Sequence, residues 1–255
     1  RTLAQRGFNE CVTYAFQSET HAKLFGGGQP ELKLGNAISS ELTDMRPSLL
    51  PNLIAAAGRN IARGFTDFAV SEVGHAYSGD RPENETLRAA GLRQGDASTR
   101  GWLKGERKGD AFDAKADALA VLEACGMAAS TLQVVQGAPA WFHPGRSGTI
   151  QMGPKNQIAW FGEIHPGILA EMDVKGPIAA FEIVLNAIPA PRQKGTAKPA
   201  LVLSDLMPLS RDFAFVVEPS VQAAELLKAA KGADKALIAD AQVFDVFKLP
   251  DGKVS

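Results

Sequence analysis

The sequence predicts an α+β chain: an antiparallel sheet flanked by helices, then a smaller, incomplete α+β unit. Strand candidates crowd residues 131–186, with a hairpin turn at Gly153-Pro-Lys-Asn156. At least two helices precede them, and the composition changes abruptly after Pro189. Strands joined by tight turns and laid against helices fit an antiparallel, helix-packed sheet.

The elements follow in chain order. Arg1 to Gly7 allows up to two helical turns stopped by glycine, and Glu10 to Phe16 alternates as a strand does. Gly26-Gly-Gly-Gln-Pro30 is a loop, after which Leu32 and Leu34 predict a short strand. Leu50, Leu53, Ile54, Ala57 and Ile61 stand at offsets of 0, 3, 4, 7 and 11, the spacing of one apolar helix face. Ser48 can cap that helix, Pro51 is tolerated in its first turn and Gly64 can end it. Asp67 to Gly74 reads as a strand, and 78–110 as polar and glycine-rich around a strand candidate from Leu87 to Leu92. Ala111 to Ala124 follows helical logic and Gly126 can end it, before strand candidates at 131–136, 147–152, 157–164 and 178–186.

Pro189 to Pro199 has no apolar periodicity, so 191–199 is assigned as a linker between a first domain, 1–190, and a second, 200–255. In the second, Arg211 to Val217 predicts a strand and Val221 to Lys231 a helix. Ile238 to Leu249 predicts a second strand running into the turn Pro250-Asp-Gly252, with Lys253-Val-Ser255 opening the return. A chain that starts at Arg1 and stops in mid-hairpin reads as a piece of a longer protein.

Composition narrows the function classes. The 27 Lys and Arg nearly cancel the 28 Asp and Glu, so no global basic excess signals nucleic acid and any RNA contact must be local. Cys11 and Cys125 form no CxxC or other ligand spacing, which argues against a disulfide framework and a structural zinc site. No apolar run reaches the ~18 residues of a membrane helix. The expected location is cytoplasmic, with no membrane partner.

Candidate chemistry is thin. Gly26-Gly-Gly28 runs into Gln-Pro rather than Lys-Ser/Thr, so it lacks a phosphate-binding loop's lysine. His143, Glu163 and His165 form the sharpest metal candidate, two imidazoles and a carboxylate on adjacent strands, although each histidine precedes a proline. Cys125 ends a helix in an alanine-rich setting and reads as core, and Gly-x-Ser-x-Gly is absent. Arg192, Lys194, Lys198 and Arg211 make a modest basic neighbourhood that Asp212 partly offsets, a solvated linker or a weak phosphate-backbone contact.

Several strings taken together resemble the β subunit of bacterial phenylalanine-tRNA ligase. They are Arg1-x-Leu-x-x-x-x-Phe-x-Glu-x-Val-Thr-Tyr-x-Phe16, Met45-Arg-x-Ser-Leu-Leu-Pro-x-Leu53, Phe112-Asp-x-Lys115, His143-Pro-Gly-Arg-Ser147, Gly162-Glu-x-His-Pro166 and Phe181-Glu-x-x-Leu185. Pro208-x-x-Arg-Asp-x-Ala-Phe-Val-Val217 resembles the start of that family's anticodon-binding domain. The resemblance implies a class II synthetase-like, non-catalytic core over 1–190 and the first part of a ferredoxin-like domain over 200–255. It also implies a catalytic α subunit as partner in an α2β2 heterotetramer that charges tRNA(Phe) using ATP and Mg2+.

Class II adenylation holds ATP with an Arg-x-Glu strand and a later Gly-x-Gly-x-x-x-Arg, because developing phosphate charge needs fixed cations. Here Val70 stands two residues before Glu72, where the first arginine would be, and no Gly-x-Gly-x-x-x-Arg occurs. The expectation is therefore a chain without catalytic, cofactor-binding or metal residues of its own, in which Arg46 bonds a carboxylate or carbonyl inside the fold and anchors it. An exposed apolar patch should mark the partner face. The alternatives are a catalytically active class II adenylating enzyme and a metal-dependent hydrolase built on His143, Glu163 and His165.

Overall fold

The computed structural model describes residues 1–97, 102, 107–190, 200–201 and 203–255. The chain separates into two compact units, Arg1–Arg192 and Gln193–Ser255. The stretch read as a linker, 191–199, lies outside the described residues.

The first unit is built on a seven-stranded sheet of order β1-β4-β5-β9-β8-β7-β6. Its strands are β1 (Asn9–Glu10), β4 (Phe68–Tyr77), β5 (Glu85–Gln94), β6 (Gln133–Gln136), β7 (Phe142–Met152), β8 (Asn156–Ile164) and β9 (Ile178–Val184). All neighbours are antiparallel except the short β1, which lies parallel to β4. A separate ribbon pairs β2 (Phe16–Gln17) with β3 (Asp44–Met45).

The stretch predicted as one strand over Glu10–Phe16 is therefore two. Cys11 N–H still bonds Ser71 O, but the chain then leaves β4 and joins β3 instead, so its alternation serves two sheets. Leu32 and Leu34 do not make a strand either. Pro30–Leu32 is a single 3-10 turn, followed by a lone bridge from Lys33 to Asp44. Two short helices, α2 (Glu19–Leu24) and α5 (Pro166–Glu171), join the predicted α1 (Thr2–Gln5), α3 (Leu50–Ala62) and α4 (Ala111–Ala124).

The sheet is apolar on both faces because each is covered. Leu50, Leu53, Ile54 and Ala57 of α3 pack with Val70, Ala90, Leu92, Ile178 and Ala180 on one face. On the other, Ala114, Ala118, Val121 and Leu122 of α4 pack with Ala69, Ile150, Ile158, Ala179, Phe181 and Ile183. Adjacent residues of β9 thus serve opposite cores, as strand geometry requires. Gly162 occupies φ +147, where a Cβ would lie 2.5 Å from Arg146 O. It faces the register shift of β7 between Phe142 and Ser147, and only glycine allows that close approach.

In the second unit, helix α6 (Ala223–Ala233) agrees with the apolar spacing of its sequence. The predicted strands shrink to bridges: Val217 and Lys248 each pair with Val254. Phe247 and Ser255 exchange backbone bonds of 2.7 and 2.8 Å around the Pro250-Asp-Gly252 turn. The rest of Arg211–Val217 and Ile238–Leu249 is not regular strand, and Phe213, Phe215, Phe244 and Phe247 are exposed. A strand has to exchange ladder bonds with a neighbour, and these segments meet none beyond the bridges.

Candidate functional site

The α3 face of the sheet carries two buried carboxylates, and around them the chain's polar chemistry is organised. Glu72 on β4 is 4 % exposed and Glu182 on β9 fully buried. Buried carboxylates persist only when charge and hydrogen bonds are returned to them.

Arg46, just after β3 and itself 4 % exposed, supplies both to Glu72. Its Nη1 donates to Glu72 Oε1 at 2.8 Å and to Thr13 Oγ1 at 2.9 Å, while Nε donates to His75 O at 2.7 Å. Thr13 Oγ1 in turn donates to Glu72 Oε2 at 2.7 Å. Arg46 O accepts from Tyr77 N, so the arginine also closes the outer edge of β4. This is the anchoring role expected of Arg46, with both a carboxylate and a carbonyl as its acceptors.

Glu182 works at the start of α3. Ser48 Oγ lies 3.0 Å from both its oxygens, Leu49 N–H donates at 2.8 Å and Arg88 Nη1 at 3.2 Å. The N-cap of α3 is Leu49, without a side-chain cap, rather than the predicted Ser48; Ser48, one residue earlier, still accepts from Leu50 N at 3.1 Å through Oγ while it meets a carboxylate 134 residues away. Negative charge at a helix N-terminus complements its unpaired amides.

A third buried acid, Asp117 on α4, takes Arg6 and Arg93. Arg93 Nε donates to it at 2.6 Å, and the Arg93 guanidinium lies 4.3 Å over the Phe8 ring. Glu182 entered the sequence reading only as part of the string Phe181-Glu-x-x-Leu185, with no role, and Arg88, Asp117 and Arg93 were not singled out. A lone acid inside an apolar run, as in Phe181-Glu-Ile-Val184, is the signal that points to a buried, partnered carboxylate at Glu182.

The metal candidate does not assemble. His143 and His165 rings stack at 6.3 Å, but each Nδ1 accepts a backbone N–H two residues on, from Gly145 at 3.1 Å and Gly167 at 3.0 Å. His165 thereby caps α5. Glu163 pairs with Arg146 at 2.7 Å. Among the described residues no group of three or more His, Cys, Asp or Glu is placed to hold a metal. The Gly26-Gly-Gly28 loop is closed on itself by a bond from Gln29 Nε2 to Gly26 O.

Cys125 caps the C-terminus of α4 and packs on the α4-side core. Cys11 packs against the α3-side core, and burial, with the nearby Glu72 charge, raises its thiol above the ordinary range. Arg211 is exposed and, among the described residues, bonds Ser210 O, while Arg192, Lys194 and Lys198 lie outside the described residues.

A family profile described as phenylalanyl tRNA synthetase beta chain CLM domain matches residues 1–185. The chain belongs to this family. A phenylalanine–tRNA ligase beta subunit from Bradyrhizobium diazoefficiens is 50 % identical over 100 % of this chain and 33 % of its own length. Another, from Rhodospirillum rubrum, is 53 % identical over 97 % of this chain and 31 % of its own. This member of the family thus spans about a third of the curated relatives it matches. Among solved structures, a pyrrolysyl tRNA synthetase from Desulfitobacterium hafniense superposes with a TM-score of 0.54 over 73 % of this chain and 63 % of that one. At 19 % identity the likeness is one of fold, and it places the helix-flanked sheet in the class II synthetase-like fold.

Proposed function

We propose that this chain is a non-catalytic module of the β subunit of phenylalanine-tRNA ligase. In this reading, 1–190 form the synthetase-like core that assembles with the catalytic α subunit into α2β2, and 191–199 link it to the opening part of a ferredoxin-like anticodon-binding domain, 200–255. The assembled enzyme charges tRNA(Phe) with phenylalanine in the cytoplasm, using ATP and Mg2+. No helix among the described residues is long and apolar enough to cross a membrane.

The observation that carries the reading is the fate of the cations on the α3 face. ATP needs arginines free to meet its phosphates. Here the residue two before Glu72 is the buried Val70, and Arg46 is consumed by Glu72 and His75 O. Arg88 has two of its three nitrogens held, by Glu182 and Thr86 Oγ1, and the single one left is no clamp for a triphosphate. These residues do not fit ATP, and no step is assigned to it on this chain. Exposed Val12, Tyr14, Phe65 and Val73 are apolar surface of the kind a partner subunit covers.

Calorimetry with ATP and size exclusion with the α subunit test the reading together. A complex with the α subunit, with no heat from ATP on this chain alone, is the expected result. ATP binding by the isolated chain, in the presence of phenylalanine, would mean that the active-enzyme alternative is correct.

A further inference from the structure

Near the carboxylate networks lies a cavity of about 210 Å³ that neither of them fills. It sits where the loop after α2, the turn at Pro47, the ends of β4 and β5, and Trp160 of β8 converge. Four aromatic residues line it: Phe25, Tyr77, Trp141 and Trp160. The Phe25 and Trp141 rings stand 5.6 Å apart at 39°, and Gly26, at φ +85, turns the loop beside the indole. Aromatic walls of this kind favour a flat apolar guest.

One ionised side chain enters the lining. Arg88 uses Nη1 on Glu182 and Nε on Thr86 Oγ1, and its Nη2 makes no hydrogen bond among the described residues. Among the described residues the lining holds no Asp or Glu, and Glu182 is already held by Ser48, Leu49 and Arg88. A guest here meets aromatic faces and a single ionised lining side chain, the Arg88 guanidinium.

We propose that this cavity is a binding site for a small aromatic monocarboxylate. The ring lies among Trp141, Trp160 and Phe25, and the carboxylate accepts from the spare guanidinium nitrogen of Arg88. Size restricts the ligand to one ring with a short tail, because drug-sized pockets begin at about 300 Å³. Charge restricts it further. A free aromatic amino acid would bring its ammonium beside the Arg88 guanidinium, a like charge, so the site favours the corresponding acids.

The test uses the three tryptophans. Trp102 is 91 % exposed and is removed as Trp102→Phe, leaving Trp141 and Trp160 to report on the cavity in this 255-residue chain. Phenylacetate should change their fluorescence saturably, with a dissociation constant of about 1 mM or tighter. L-Phenylalanine should bind at least tenfold more weakly. Ser78→Phe, at the bend after β4 and in the lining, should abolish the response without lowering the melting temperature.

Should that variant fold poorly, Arg88→Lys decides. It keeps a charge beside Glu182 while removing the fork, so it should weaken phenylacetate severalfold and leave benzyl alcohol unchanged. No saturable response to phenylacetate, equal affinity for L-phenylalanine, or an unaltered titration in a folded variant would each overturn the proposal. Assembly with the α subunit, followed by size exclusion on the same sample, is a separate readout, so failure of the cavity leaves the proposed function standing and the reverse holds too.

Discussion

Arg46→Met is the sharpest perturbation of this fold. Methionine fills much of the arginine stem's space but withdraws the donors to Glu72 Oε1, His75 O and Thr13 Oγ1. Glu72 then keeps only Thr13, through Oγ1 at 2.7 Å and a long 3.4 Å contact from the amide, as a buried carboxylate without a counter-charge. Removing one partner of a buried pair costs about 3–5 kcal/mol, and the retained Thr13 bond argues for the lower end, ~3 kcal/mol. For a unit of this size, ~3 kcal/mol corresponds to a melting temperature lower by roughly 6–12 °C. Urea unfolding followed by tryptophan fluorescence measures it, provided the denaturant slope stays constant. The double variant Arg46→Met, Glu72→Leu should recover most of the loss, because it removes the stranded charge as well. A single-variant loss below about 1 kcal/mol, the size of an exposed ion pair, would refute the anchoring argument.

Three further outcomes follow from the packing. Leu53→Ala, at a fully buried position of α3, should cost about 2–5 kcal/mol in the same urea assay. Gly162→Ala should destabilise by about 1–3 kcal/mol, because a Cβ there must displace Arg146 O and Ser147 at a positive φ; unchanged stability would mean that β7 relaxes around it. Burial depresses the His21 imidazole below its ordinary value of 6.5, so the fold favours the neutral form. That contribution is complete above pH 6.5 and is lost as pH falls through the lower, folded value. Thermal melts should therefore show a drop on acidification below pH 6.5 that His21→Gln reduces.

The sequence showed the long elements well, since their burial pattern is written in local spacing. Helix α4 begins and ends where Ala111 and Ala124 were placed, and α3 follows the apolar offsets from Leu50. Short helices escaped, because the six residues of α2 and α5 are too few for periodicity to speak. The split at Phe16 escaped for another reason. Alternation records which side of a strand is buried and does not identify the strand's neighbour, so a change of partner from β4 to β3 leaves the pattern intact.

At the site, Arg46 was legible because a charged residue at the mouth of an apolar helix needs a buried acceptor. Its acceptor Glu72 was visible on a named strand. The pairing of Ser48 with Glu182 was not, since nothing local joins residues so far apart in sequence. The aromatic cavity draws on Phe25, Tyr77, Trp141 and Trp160, which meet only through the topology.

The sheet order has a consequence for how the chain is made. Strand β5 sits between β4 and β9, so the hairpin of β4 and β5 emerges from synthesis with one edge open until residue 178 and its successors follow. Until then α3 has no Glu182 at its first turn, and Arg88 has no carboxylate to meet. Closure of distant pairs is slow, and unpaired edges attract other chains. The nascent first half thus carries an open sheet edge until β9 arrives to cover it.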